Sequence, residues 1–198
     1  MKPYFDTNHV AGLLLLIVVL AWGAMELAQY SQGRQGRKGA TRVGPRGFWP
    51  AAGAGVIVAN VLLYLAPHVV PAAAIRPGAA AFAGGMVVLL AGVALRGWSF
   101  KALGEYFTFT VMVSSDQRVI ATGPYRALRH PGYTGVLLAC AGLGLASANW
   151  VGTAGMVVPA LMLLLWRIHV EETALLATLG DRYRAYAARH KRLVPLVW

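Results

Sequence analysis

Two polar clusters bracket the longest uncharged run of the chain, residues 132–166: GPYRALRHPGY before it and WRIHVEE after it. The first supplies Arg129, His130 and Tyr133, and the second Arg167, Glu171 and Glu172. A guanidinium is a rigid cationic fork that matches a carboxylate, while glutamate and histidine take up a proton or accept hydrogen bonds from an amine. On a helix Arg167 and Glu171 share one face, with Glu172 about 100° further round. Opposite charges set out in this way suit a zwitterionic ligand. Taken singly, each residue has a plainer account. His130 and Tyr133 would serve as interfacial anchors, Pro131 as the first residue of a helix, Arg167 as a snorkelling helix end and Glu171 as its i, i+4 ion-pair partner. Taken together they point to a site, because a pair of glutamates where an apolar helix emerges is costly unless it binds something.

The elements between the clusters must bring them together. Residues 132–166 are long enough for two helical passes joined by the turn Ser147-Ala148-Asn149-Trp150, and such a hairpin returns its second end to the level of its first. With 198 residues, 58% of them hydrophobic, 13% charged and a mean hydropathy of +0.57, the chain is too apolar for an ordinary soluble domain. Besides the hairpin, residues 7–25, 47–75 and 77–95 lack Asp, Glu, Lys and Arg. The expected fold is an all-α integral membrane protein of five transmembrane helices, the first three over about residues 10–29, 48–66 and 78–95. Two parts are expected: residues 1–95 as three N-terminal transmembrane helices, and residues 96–198 as a core of cytoplasmic connector, helix hairpin and C-terminal helix. Five helices leave no room for a Rossmann domain.

Charge gives the orientation. Of the 18 Lys and Arg residues, 16 follow the first, third and fifth helices, and only Lys2 and Arg76 lie at the other ends. The positive-inside rule then puts the N-terminus outside and the C-terminus in the cytoplasm, as expected of a multi-pass protein of the cell membrane with its site facing the cytoplasm. The first apolar helix is expected to stay in the mature protein, because its basic cluster follows the apolar run instead of preceding it.

The same composition argues against other functions. The net charge of +11 is spread over three juxtamembrane segments and forms no basic face, so no nucleic-acid partner is expected. Cys140 is the only cysteine and rules out a disulfide framework. The five histidines show no i, i+4 pair; His169 and Glu172 make half of a carboxylate-bridged metal pattern whose other half is missing, and no metal is expected. Gly53-Ala54-Gly55 and Gly142-Leu143-Gly144 fall inside apolar helices, without the strand a dinucleotide loop requires. Small residues such as Gly85 and Gly92, Gly135 and Ala139, and Gly142 and Ala146 suit close helix packing. Between residues 96 and 129, alternation around Phe107, Phe109, Val111 and Val113 predicts a short hairpin or extended cover. Leu175, Leu176, Leu179, Tyr183 and Tyr186 predict a cytoplasmic helix over residues 171–190 lying against the pocket.

The strings GPYRALRHPGYTG (123–135) and EETALLATLGDRYRAY (171–186), with a hairpin between them, resemble the isoprenylcysteine carboxyl methyltransferase family and the related membrane phospholipid methyltransferases. The resemblance covers about residues 105–195. It implies an S-adenosyl-L-methionine site built from helix ends and loops. By position in the motifs, Gln117, Arg118, Val119 and Ile120 would line the cofactor, with Tyr125 following. His130, Pro131, Gly132 and Tyr133 would form the next wall, and Glu171 and Glu172 would accept hydrogen bonds from the cofactor. Arg167 matches the family arginine turned toward the methyl acceptor and is the expected catalytic residue. Gly132 departs from the serine common in the family, which removes a side-chain contact and leaves the backbone in place. The implied partners are the lipid bilayer and a lipophilic methyl acceptor, foremost a prenylcysteine carboxylate. A phospholipid amine or small thiol is the alternative within the fold, and a membrane scaffold or small transporter the alternative outside it. The compact length leads to the expectation of a bacterial or archaeal type.

Overall fold

Inside hydrocarbon a backbone has no water to bond, so an apolar stretch must satisfy its own amides within a helix. The computed structural model describes residues 3–33, 41–42, 47–107, 112–113 and 119–194, and there each long apolar stretch is helical. The one-turn helix α1 (Tyr4–Thr7) leads into α2 (His9–Gly33), followed by α3 (Phe48–Val69), α4 (Gly78–Leu103), α5 (Pro131–Ala146), α6 (Trp150–Leu179) and α7 (Asp181–Arg189). Among the described residues, α2, α3, α4 and α6 are long and apolar enough to cross a membrane, and α5 is a shorter apolar helix of 16 residues. The chain is a multi-pass helical membrane protein. Two-residue strands β1 (Thr41–Arg42) and β2 (Met112–Val113) pair antiparallel, Thr41 opposite Val113. Thus residues 112–113 pair with the loop after α2; the rest of the expected hairpin, residues 108–111 and 114–118, lies outside the described residues.

Several helices outrun the bounds that charge and proline suggest. α4 continues through Arg96 to Leu103, so the expected division at 95/96 falls inside it. The continuation is possible because Arg96 has a counter-ion: its Nε and Nη2 donate to the two Glu26 carboxylate oxygens at 2.9 and 3.1 Å. α3 passes through Pro67 and ends two residues beyond it, so the proline interrupts only its last turn. α6 carries Glu171 and Glu172 within its 30 residues, and the separate C-terminal helix starts only at Asp181. Gly180 makes the break at φ +53°, a conformation that glycine adopts without strain.

Close backbone contact holds α4 against α5. The two run antiparallel, so Gly85 faces Gly142 and Ala146, and Gly92 faces Gly135 and Ala139. A Cβ on Gly85 would lie 2.5 Å from the Ala146 nitrogen, and one on Gly135 would lie 2.8 Å from the Arg96 nitrogen. Without a hydrophobic drive between helices in lipid, such approach supplies dispersion contacts that larger side chains would prevent. Ala11, Leu15, Phe82, Leu89, Ala139 and Ala146 form one buried cluster across α2, α4 and α5, and Ala59, Cys140 and Met156 a second across α3, α5 and α6.

The α5–α6 turn is fixed by Asn149, which is 1% exposed. Its side-chain oxygen accepts from the Val151 and Gly152 amides at 2.9 and 3.1 Å, capping α6, while Nδ2 donates to the Val70 carbonyl at 2.9 Å and ties in the end of α3. The hairpin is therefore closed at one end by backbone capping, and its other end delivers the two polar clusters.

Candidate active site

At the open end of the hairpin the two clusters meet. Tyr133, one turn into α5, donates its hydroxyl hydrogen to Glu171 Oε2 at 2.6 Å and accepts from Arg167 Nε at 2.6 Å. Arginine, phenol and carboxylate thus form one chain across the helix pair, with the Arg167 guanidinium 5.2 Å above the centre of the Phe48 ring. The face shared by Arg167 and Glu171 is the one turned to α5. His130 stacks on Tyr133, ring centres 5.4 Å apart and planes 14° apart.

Glu172, next to Glu171 but a helical step round, meets a different set. Arg129 Nη1 lies 2.8 Å and His130 Nε2 3.1 Å from its Oε1, and Arg192 donates through Nε to Oε2 at 3.1 Å. The same cluster holds the segment after α7: the Arg129 amide donates to the Lys191 carbonyl at 2.7 Å, the His130 amide to Arg192 at 3.1 Å and Thr134 Oγ1 to Leu193 at 2.8 Å. Glu172 is a buried ionic hub joining α6, the start of α5 and residues 190–193, which explains how it avoids the desolvation cost of a lone carboxylate.

Between these groups lies a cavity of about 970 Å³ of empty space, open mouth included. Of the residues expected at the site, Val119, Ile120, Tyr125, His130, Gly132, Tyr133, Arg167 and Glu171 line it. Pro131 is fully buried as the first residue of α5 and, like Glu172, stays outside the lining. Gln117 and Arg118 lie outside the described residues. His130 and Glu171, 41 positions apart in sequence, face one space. Among the described residues no group of three or more His, Cys, Asp or Glu side chains is placed to hold a metal ion; His169 is exposed and Glu172 is committed to its cations.

The structure adds a wall that the motifs do not reveal. Arg96, Ser99, Phe100 and Phe107 line the cavity from α4 and its C-terminal continuation. Arg96 stacks over the Phe100 ring at 4.3 Å and is paired with Glu26 of α2, which also accepts from Trp22 Nε1 at 3.2 Å. Gly132 accommodates this arrangement, since a Cβ there would sit 3.1 Å from Arg96 Nη1. Glu26 and Arg96 each end an apolar run as an isolated charge, which is the signal that marks them. α7 completes the enclosure. Tyr186 donates to the Tyr125 and Leu128 carbonyls at 2.9 and 3.3 Å and is stacked on His190 at 4.2 Å. Burial pushes the Tyr186 phenol up to about 12, and burial, with Glu171 and Tyr133 nearby, raises that of Tyr125 as well, so both are neutral at neutral pH.

The arrangement can hold a zwitterion. Glu171 presents a carboxylate oxygen, Arg167 and Arg129 present cations, and the aromatic rings of Phe100, Phe107 and Tyr125 offer apolar walls. Among the described residues, the buried Arg129 Nε and Tyr183 Oη have no hydrogen-bond partner.

Residues 85–177 match the isoprenylcysteine carboxyl methyltransferase (ICMT) family. The resemblance carried by the two motifs is borne out, and the matched segment runs from within α4 through almost all of α6. A probable protein-S-isoprenylcysteine O-methyltransferase of Oryza sativa subsp. indica is 29% identical over 120 residues, 57% of this chain and 60% of that protein. Protein-S-isoprenylcysteine O-methyltransferase B of Arabidopsis thaliana is 27% identical over 115 residues, 57% of this chain and 58% of its own length. The chain thus spans about three-fifths of the length of these relatives. The solved structure of the eukaryotic intramembrane Ras methyltransferase ICMT shares the fold, with a TM-score of 0.64 and 23% identity over 75% of this chain and 53% of that one.

Proposed function

We propose that this chain is an integral membrane S-adenosylmethionine-dependent methyltransferase acting on a lipophilic acceptor, with an isoprenylcysteine carboxylate as the first candidate. The observation that carries the reading is the convergence of both motif halves on one cavity, where the Arg167–Tyr133–Glu171 chain crosses between them. The relatives' names support the same reading. In this scheme all five apolar helices cross the bilayer, the N-terminus is outside, and the cavity opens toward the cytoplasm, where the basic segments lie.

The cofactor's sulfonium would supply an electrophilic methyl group. Everything else falls to the chain's own residues. Val119, Ile120, Tyr125, His130, Gly132, Tyr133 and Glu171 would hold the cofactor, with Gln117 and Arg118 joining them from the connector. Pro131 would act by starting α5, and Glu172 by fixing Arg129 and His130 in place. Arg167 would orient an acceptor carboxylate through its guanidinium, already aimed by Tyr133 and by stacking on Phe48. A carboxylate acceptor is ionised at neutral pH and needs no general base, so positioning and exclusion of water are what the protein must provide. An amine acceptor would instead have to lose a proton, for which His130 and Glu171 are proton acceptors in the cavity lining.

The test is methyl transfer in detergent-purified protein from labelled cofactor to three acceptors: a farnesylated cysteine with a free carboxylate, its amide, and phosphatidylethanolamine. Labelling of the first alone is expected. Labelling of the phospholipid alone would move the protein to the alternative within the fold, and saturable binding of the cofactor to none of the folded preparations would remove the enzyme reading.

A further inference from the structure

Two tyrosines three residues apart on α7 have opposite fates. Tyr186 donates to backbone carbonyls and anchors the helix, whereas Tyr183, 4% exposed, has a hydroxyl without a partner among the described residues. Leaving a buried phenol unsatisfied costs stability, so such a group is retained for something that binds it. Arg129 is in the same position: its Nη1 serves Glu172, and its Nε is buried and unpaired. Both residues line the cavity.

We propose that Tyr183 Oη and Arg129 Nε form a two-donor clamp for the carboxylate of the sulfonium cofactor. This rests on the cofactor reading above. An arginine Nε–H is a donor only. Tyr183 is one as well here, since burial and the Glu172 and Glu171 carboxylates push its phenol upward and keep it protonated. Two donors select a group with two acceptor atoms and reject an ammonium. Glu171, bonded to Tyr133, is the acceptor left for an ammonium. The cavity therefore carries both donors and an acceptor, and the amino-acid end of the cofactor would engage both.

The experiment compares two ligands, S-adenosylhomocysteine, which has the carboxylate, and methylthioadenosine, which lacks the amino-acid end. Affinities are measured by titration calorimetry on the full chain in detergent. Tyr183→Phe is expected to weaken S-adenosylhomocysteine about tenfold or more and to leave methylthioadenosine within about twofold. Arg129→Lys, which keeps a cation for Glu172 and removes Nε, is expected to do the same. Because the Tyr183 hydroxyl bonds nothing among the described residues, Tyr183→Phe should not lower the unfolding midpoint of the ligand-free protein. Tyr186→Phe, which loosens α7 as a whole, should weaken both ligands alike. Equal loss of both ligands in Tyr183→Phe, loss of neither, or a lowered midpoint overturns the clamp while leaving the cofactor reading intact. Failure of the unmutated protein to bind either ligand overturns the cofactor reading itself and the clamp with it.

Discussion

The two ends of the α5–α6 hairpin treat buried polar groups in opposite ways. At the 147–149 turn, Asn149 spends both sides of its amide on backbone partners, and Ser147 donates to the Gly144 carbonyl at 2.6 Å. At the other end the polar groups are concentrated around a cavity, with the ionic and hydrogen-bonded hub on Glu172 beside orphaned donors. The first end is a joint whose polar groups are satisfied from within. The second keeps binding capacity in reserve, a condition that a purely structural end would not tolerate.

Glu171 and Glu172 repeat the contrast within one helical step: the first faces the cavity with Tyr133 as its hydrogen-bond partner, the second is saturated by cations. Substitutions should separate the two regions. The largest effect is expected from Arg167→Ala, which should lower turnover on the order of 10³-fold while leaving most cofactor affinity, measured as initial rate against bound labelled cofactor; Glu171→Ala should instead weaken the cofactor. Equal cofactor loss in both would dissolve the distinction between acceptor side and cofactor side. Next, Glu172→Ala should destabilise the fold by about 3 kcal/mol, because it strands Arg129 and Arg192, and should do so with or without ligand in a thermal melt. A loss seen only in the liganded state would make Glu172 a cofactor contact after all. At the closed end, Asn149→Ala should cost about 1 to 2 kcal/mol by removing the α6 cap, with the rate per folded molecule unchanged.

The smallest effect concerns pH. The Tyr186 phenol is raised by burial from 10.0 to about 12, so between those values the unfolded chain releases its proton first. The stability held below pH 10 should therefore decline as pH rises toward 12, and ultraviolet titration should show Tyr186 ionising after the exposed tyrosines, with one late-ionising tyrosine fewer in Tyr186→Phe.

How much of this could be read in advance follows from distance along the chain. The hairpin, its turn and the meeting of His130 and Tyr133 with Arg167 and Glu171 follow from one uncharged run and helical periodicity, because two antiparallel helices leave a single way to bring their ends together. The Glu26–Arg96 pair links positions 70 apart through α2 and α4, and nothing in the local pattern chooses that neighbour. Reading Arg96 only as an orienting charge cut α4 short, whereas its counter-ion lets the helix run on and supply a cavity wall. The strap of residues 190–193 has no periodicity of its own and is defined only by its bonds to Arg129, His130 and Thr134. Sequence spacing likewise places Glu171 and Glu172 side by side; only the packed helices decide which of them turns to the cavity.

The central claim is that segments 123–135 and 171–186 enclose one nucleoside sulfonium at the open end of the hairpin. Ultraviolet cross-linking of labelled S-adenosylmethionine to the purified protein, followed by peptide mapping, tests it most directly. The account predicts label in peptides from both segments, displaced by excess S-adenosylhomocysteine. Label confined to one segment, or label that the competitor does not displace, would contradict it.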